Sequence, residues 1–424
     1  MIQFLLKGLL RDRSRSLFPL LIVAAGVMLI VFLHAWLTGA ISGLVQSTAH
    51  YRTGHVCVMS KAYADKSDQI PNDLALLGAD TVLADLKQRY PEFRWTPRVI
   101  FGGLLDIPND SGETREQVPV SGLGVNLLSP DSPEWKVLNI QPSLVRGTLP
   151  AKRGEILVGE ELAQKLHVKP GQKATLITST MYGSIATENF TIAGTVRFGF
   201  ESMDRSSMIA DLSDIQQALD MANGCGMILG FFEDDQYHES RAEVVTQEFN
   251  GRYAGSADRF APVMATLRNQ SGLADYLDLV TWASRTVLVI FIVAMSIVLW
   301  NSGLTGSLRR YGEIGLRLAI GEETGHVYRS MMIESLIIGI AGSILGTGIG
   351  LAVAYYLQVH GIDISSMMKN GTMLISDVVR AEVTPMSYVI GFVPGIVATF
   401  LGTAISGIGI YRRATSKLFK ELET

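Results

Sequence analysis

Four runs of this chain carry no charged residue: 17–40, 286–304, 335–357 and 387–410. The shortest holds 19 residues and the longest 24. That is enough for a helix to cross a hydrocarbon core ~30 Å thick. Lipid offers no hydrogen bonds, so a crossing segment must satisfy its own backbone, and runs of this length do so as helices. The composition agrees: 48% apolar, 18% charged, and a mean hydropathy of +0.27. The first run follows Lys7, Arg11, Arg13 and Arg15, as a secretion signal would. It is longer than a signal core and shows no small-x-small cleavage site, so it reads as an uncleaved anchor.

Orientation follows from lysine and arginine beside the spans. Four basic residues precede span one. Arg309, Arg310, Arg317 and Arg329 lie between spans two and three, and Arg412, Arg413, Lys417 and Lys420 follow span four. The loop between spans three and four has only Lys369 and Arg380, against Asp363, Asp377 and Glu382. The expected layout has these parts: a cytoplasmic segment 1–16, transmembrane helix 17–40, an extracytoplasmic domain 41–284 and transmembrane helix 286–304. A cytoplasmic segment 305–334 follows, then transmembrane helix 335–357, an extracytoplasmic loop 358–386, transmembrane helix 387–410 and a cytoplasmic tail 411–424. The fold class is thus an integral membrane protein of four transmembrane helices, with a large α+β domain inserted between helices 1 and 2.

Inside 41–284, strands are expected at 56–59, 99–107, 154–159, 174–179 and 190–198, and helices at 81–90, 160–166, 212–221 and 239–250. Asp211 or Ser213 is expected to cap the third of these helices. Residues 108–117 are polar and read as loop. Strands and helices alternate without regular βαβ spacing, which suggests an α+β domain in one or two lobes. Residues 43–50 are amphipathic enough to prolong span one out of the membrane as a stalk.

Several chemistries find no residues to carry them. No G-x-x-x-x-G-K-[ST] phosphate loop, H-E-x-x-H pair or G-x-S-x-G elbow occurs. Catalytic and metal sites are therefore expected to be absent, and any ATP hydrolysis to belong to another chain. The net charge of −4 gives no reason to expect nucleic acid. Cys57 and Cys225 are too few and too far apart in sequence to define a bridge.

One segment carries a resemblance. It runs Asn301-Ser-Gly-Leu-Thr-Gly-Ser-Leu-Arg-Arg310-Tyr-Gly-Glu313-Ile314-Gly315-Leu-Arg317-Leu-Ala-Ile-Gly321, and Ile333-Glu334-Ser335 then leads into a glycine-rich span. This resembles the signature of FtsX/MacB/LolCE-type ABC transporter permeases. The stretch Gly147…Glu155-Ile-Leu-Val-Gly159, Leu162-Ala163, Val168…Gly171 is similar to the same family's periplasmic domain. Arg309, where an acid is common, and Glu322-Glu323, where small residues are usual, depart from the pattern. The resemblance implies a permease in a bacterial inner membrane, paired with a second permease subunit, homo- or heterodimeric. A cytoplasmic ABC ATPase dimer would hold ATP and Mg. A periplasmic carrier or effector could be a further partner.

On that reading Arg310, Glu313, Ile314, Gly315, Arg317, Gly321, Glu322 and Glu323 form the ATPase-coupling element. The alternative is an ordinary amphipathic helix lying at the interface. Gly342, Gly346 and Gly350 make a small-xxx-small face on span three, and Gly402 and Ser406 repeat it on span four; both are candidate close helix contacts. Pro394 is expected to kink span four. His34 reads as a packed polar side chain rather than a proton relay, and Glu334 as either a functional acid or a headgroup contact. Three functions fit: a mechanically coupled permease acting on a lipoprotein, lipid or other amphiphile; an FtsX-like transducer that regulates an extracytoplasmic hydrolase; and an ATP-independent scaffold.

Overall fold

The computed structural model describes residues 13–109, 112–129, 132–199, 201–270, 273–308, 311–363 and 378–412. Lys7, Arg11, Arg309, Arg310, Lys369, Arg413, Lys417 and Lys420 lie outside these residues. For 13–16, 201, 273, 302–308, 311–314, 406 and 408–412 only the backbone is described. Two compact units result. One comprises the membrane-spanning segments, and the other is chiefly Gly43–Asp278.

Four helices of the first unit are long and apolar enough to cross a membrane. They are Arg13–Thr48, Leu273–Leu308, Thr324–His360 and Phe392–Arg412. The α-helix of span four starts at Phe392, after a 3-10 turn at Pro385–Tyr388. Pro394 therefore falls in the helix's first turn, where a backbone N–H has no partner to lose, and it begins the helix instead of kinking it. Val23, Val27, Ile30 and Val31 of span one pack with Leu299, Ile390 and Ala398 at the bundle core.

The glycine stripe of span three faces span one. A Cβ added at Gly342 would lie 2.7 Å from Val23 Cβ, and one at Gly350 3.0 Å from the Met28 carbonyl oxygen. At Gly346 it would run into the Ala24 carbonyl and come within 2.8 Å of Val27 Cβ. Neighbouring Gly339 faces Thr399 of span four, and Gly402 faces Trp300 of span two. The segment before span four also seals onto span one. The Glu382 N–H donates to the Ala35 carbonyl at 2.9 Å, and Gly39 leaves room for the Arg380–Ala381 backbone. His34 Nδ1 lies 3.1 Å from the Ser387 hydroxyl. Span two buries only 6% of its apolar window within the unit, against 33–44% for the others.

The second unit is built on a ten-stranded sheet. Its strands are β1 Val56–Ser60, β2 Phe93–Pro108, β3 Thr114–Val125, β4 Leu144–Gly147, β5 Glu155–Gly159, β6 Lys173–Ser179, β7 Ile185–Val196, β8 Ser207–Asp211, β9 Met227–Phe232 and β10 Pro262–Thr266. The order is β10-β1-β9-β2-β3-β8-β5-β7-β4, and β6 pairs with both β2 and β7. That second pairing closes β2, β3, β8, β5, β7 and β6 on themselves. Most ladders are antiparallel; β3–β8 and β5–β7 are parallel. Helices Ala79–Arg89, Glu160–Lys165, Leu212–Ala218 and Glu239–Tyr253 cover the sheet. Asp211 caps the third, accepting from the Ser213 N–H.

One expectation needs correction here. Residues 114–117 are not loop but the start of β3, paired with Glu116 opposite Ile107. Thr114 and Arg115 are exposed, so this end of the strand carries polar side chains and mimics a loop. Between β2 and β3 the Asn109 N–H donates to the Glu113 carbonyl at 2.8 Å. Cys57 and Cys225 are both free and buried.

Candidate functional site

The 311–323 segment is a nine-residue helix, Tyr311–Ala319, followed by a sharp stop. Gly321 stands at φ +94°, a conformation that a side chain with Cβ adopts only under strain. The Glu322 N–H donates to Arg317 O at 3.1 Å and the Gly321 N–H to Leu318 O at 3.1 Å. This is the paired hydrogen-bond pattern of a Schellman cap. Where such caps often place an apolar contact, Arg317 and Glu322 lie 3.9 Å apart as an ion pair. Glu323 stands at the N-cap position, without a side-chain capping bond, of the following helix, which runs unbroken from Thr324 through span three to His360. Leu316 and Ile320, one helical turn apart, are 55% and 77% exposed. The segment thus presents a short helix with an apolar ridge, separated from the helix of span three only by the capped turn at 320–323. Gly315 is buried, whereas Arg310 and the side chains of Glu313 and Ile314 lie outside the described residues.

A second group of residues, which sequence reasoning did not single out, lies where the span-one helix ends. After Thr48 the chain widens into a single π-helical turn, Ala49–Thr53. His50 Nε2 lies 3.1 Å from Asp235, and Arg94 and Gln46 each reach the same carboxylate at 3.5 Å. Arg98 on β2 grips Glu134 with two bonds of 2.7 Å, and its third nitrogen donates to the His50 carbonyl at 2.6 Å. Thr96 donates to the same Glu134 at 2.8 Å. Both charged side chains are buried, at 1% and 0% exposure. Nothing in the sequence spacing pairs residues 98 and 134; only the charge of Arg98 at the head of the uncharged run 99–105 hints at a partner.

His55 lies beneath this group, with its Nδ1 accepting the Phe232 N–H at 3.0 Å. The Phe231 ring meets it edge-on and the Phe232 ring lies tilted beside it. Burial lowers its imidazole to about 4, against the opposing pull of Asp235. Burial also lowers His50, again opposed by Asp235. Both groups are therefore held neutral in the folded domain, while the unfolded chain takes up protons near pH 6.5. Stability is fully present above that pH and is lost as pH falls toward 4, because the unfolded state then binds more protons. The outer domain should lose on the order of 3 kcal/mol over that window from His55. Denaturant melts at stepped pH will show it. His55→Asn, which keeps an acceptor for the Phe232 N–H, should flatten the slope; an unchanged slope would place the titrating group elsewhere.

Orientation has its own test. With Cys57 and Cys225 replaced by Ala, single cysteines at Ser184 and Thr324, both exposed, should react with an impermeant thiol reagent from opposite sides of the membrane. Labelling from one side would overturn the four-span layout.

Family models match the chain in two blocks. The FtsX-like permease C-terminal family covers residues 285–415, and the MacB-like periplasmic core domain covers 16–237. The lipoprotein-releasing system transmembrane protein LolC of Xylella fastidiosa is 24% identical over 283 residues, 65% of this chain and 66% of that protein. The macrolide export ATP-binding/permease protein MacB of Psychrobacter cryohalolentis is 26% identical over 133 residues, 30% of this chain and 20% of that protein. The chain thus spans about a fifth of the MacB relative's length. Among solved structures, the periplasmic region of MacB from Actinobacillus actinomycetemcomitans covers 53% of this chain and 94% of its own, at 12% identity and a TM-score of 0.36, too low a superposition to place any residue by. The core-domain match alone takes in more than half of the 424 residues, and with the permease match behind it, this multi-pass membrane chain belongs to the FtsX/MacB/LolCE-type ABC transporter permeases.

Proposed function

We propose that this chain is the non-catalytic permease subunit of a bacterial inner-membrane ABC transporter, and that its 305–334 segment receives the stroke of a separate ATPase dimer. ATP and Mg would bind to that ATPase, and this chain would supply the mechanical path. The observation that carries the reading is the exposed Leu316–Ile320 ridge on a short helix that is capped rigidly at Gly321 and continuous with span three after Thr324. An apolar ridge seated in a groove transmits a push only if its helix cannot bend away, and the Schellman cap supplies that stiffness.

Four spans per subunit leave little room for a solute channel. The cargo favoured is an amphiphile taken from the outer leaflet: a lipoprotein, a lipid or a similar molecule. A second permease subunit completes the assembly, and the weakly buried span two offers it a face. A periplasmic carrier would receive the cargo.

Purification of the full chain in mild detergent, with mass spectrometry of what remains bound, tests this directly. An ABC ATPase should co-purify. Gly321→Val should abolish or uncouple that binding, because a β-branched residue tolerates positive φ poorly. Glu313→Lys should weaken it. Normal assembly and activity in both variants would reduce the segment to an interfacial helix.

A further inference from the structure

Two acids, Glu322 and Glu323, stand where the family pattern has small residues, and the structure gives them different work. The Glu322 carboxylate is engaged on both oxygens. Its Oε2 lies 3.9 Å from Arg317, and its Oε1 lies 3.8 Å from His326 Nε2. Its backbone N–H closes the cap on Arg317 O. Glu322 is therefore part of the turn. Glu323 is used differently. Its carbonyl starts the helix of span three, accepting from the His326 N–H at 2.9 Å and the Val327 N–H at 3.2 Å. Its side chain makes no capping bond and is exposed. Among the described residues it pairs with no cation, although the segment around it is basic, with Arg317 and Arg329 in the same stretch.

Local structure does not call for glutamate at this position. Asn, Asp and Ser are the favoured N-caps, because their short side chains reach the first free amides. The helix dipole welcomes a negative charge here, but an exposed one gains little from it. Contact with lipid does not call for it either. The cytoplasmic leaflet carries a negative surface potential that attracts lysine and arginine, and it would repel a free carboxylate. What stands next to Glu323 is the apolar ridge. Ile320 lies three residues before it and is 77% exposed, with Leu316 one turn earlier. Gly321 between them has open space where a Cβ would be. Apolar side chains and an unpaired charge thus share one exposed turn. A surface that covers both must be apolar along the ridge and basic at its end.

We propose that Glu323 selects the ATPase: the groove that takes the Leu316–Ile320 ridge ends in a lysine or arginine, and that cation pairs with the Glu323 carboxylate. This rests on the coupled-permease reading above. It adds the charge by which this chain tells its own ATPase from others. A charge at the rim of an interface acts on encounter and specificity more than on raw affinity.

The test uses the full chain in mild detergent with the ABC ATPase that co-purifies with it, washed at stepped NaCl. Glu323→Gln should lower the retained ATPase about threefold at low salt, the scale of an exposed pair, and should remove most of the salt dependence. Glu323→Lys should lower it roughly tenfold or more, because like charges then meet. Lysines and arginines of the ATPase groove, changed one at a time to Glu, should restore binding to the Glu323→Lys chain at one position. Native-level retention in Glu323→Lys would overturn the proposal. So would restoration at none of the groove positions, since the charge would then act on the turn and not on a partner. If Gly321→Val releases the ATPase and the variants at 323 do not, the coupling reading stands and this inference falls. If no ABC ATPase co-purifies with the unaltered chain, both fall.

Discussion

Arg98→Met should destabilise the outer domain by about 3–5 kcal/mol, the cost of leaving one member of a buried ion pair without its partner. Glu134 is the group left behind. Its side chain is fully buried, and Thr96 supplies the other side-chain bond given to Oε1. The carboxylate must then stay charged in an apolar site or take up a proton, and either costs free energy. The His50 carbonyl loses its 2.6 Å donor in the same step. Met is chosen because it keeps an unbranched stem of similar length over the Phe231 ring, where the guanidinium carbon sits 5.8 Å from the centroid. Urea melts followed by tryptophan fluorescence will read the change, since Trp95 lies on the same strand and Trp135 follows Glu134. Adding Glu134→Leu should recover most of the loss, because the stranded charge is removed with its partner. A single variant that melts within about 1 kcal/mol of the parent would show a pair behaving like a surface one and would contradict this expectation.

This pair also marks the limit of what the sequence shows. The four spans are legible because membrane insertion depends on local composition: nineteen uncharged residues satisfy it wherever they fall. The cap at Gly321 is legible because glycine followed by two acids is a local stop-and-start signal. Strands such as 154–159 are legible from apolar runs between turns. The start of β3 is not, because Thr114 to Gln117 face largely outward and polarity there means exposure, not loop. The junction at His50 is hidden for a different reason. Residues 50, 94, 98, 134 and 235 come together only through the strand order β9-β2-β3, and no period or spacing encodes that order. The glycine stripe lies between these cases. Its spacing showed that something approaches closely, but only the packed bundle shows that Val23, Ala24 and Val27 of span one are what approaches.

That contact carries the last expected result. Gly346→Leu should cost about 1–3 kcal/mol by overpacking and should separate spans one and three. A Cβ at this position already meets the Ala24 backbone carbonyl, which, unlike a flexible side chain, cannot fold aside. Span one must therefore shift as a body, or the two helices must part. Insertion itself should be unharmed, since leucine raises the hydrophobicity of the segment. Ala352→Leu on the same helix is the control. Ala352 is exposed, off the Gly342, Gly346 and Gly350 stripe, so a larger side chain there meets lipid. Cysteines at Val27 and Ser343, both buried and both lying against Gly395, can report the helix separation by crosslinking yield. The yield should fall in Gly346→Leu and hold in Ala352→Leu. Equal yields in the two variants would mean that the stripe does not carry the contact, and that spans one and three are joined through their β-branched side chains instead.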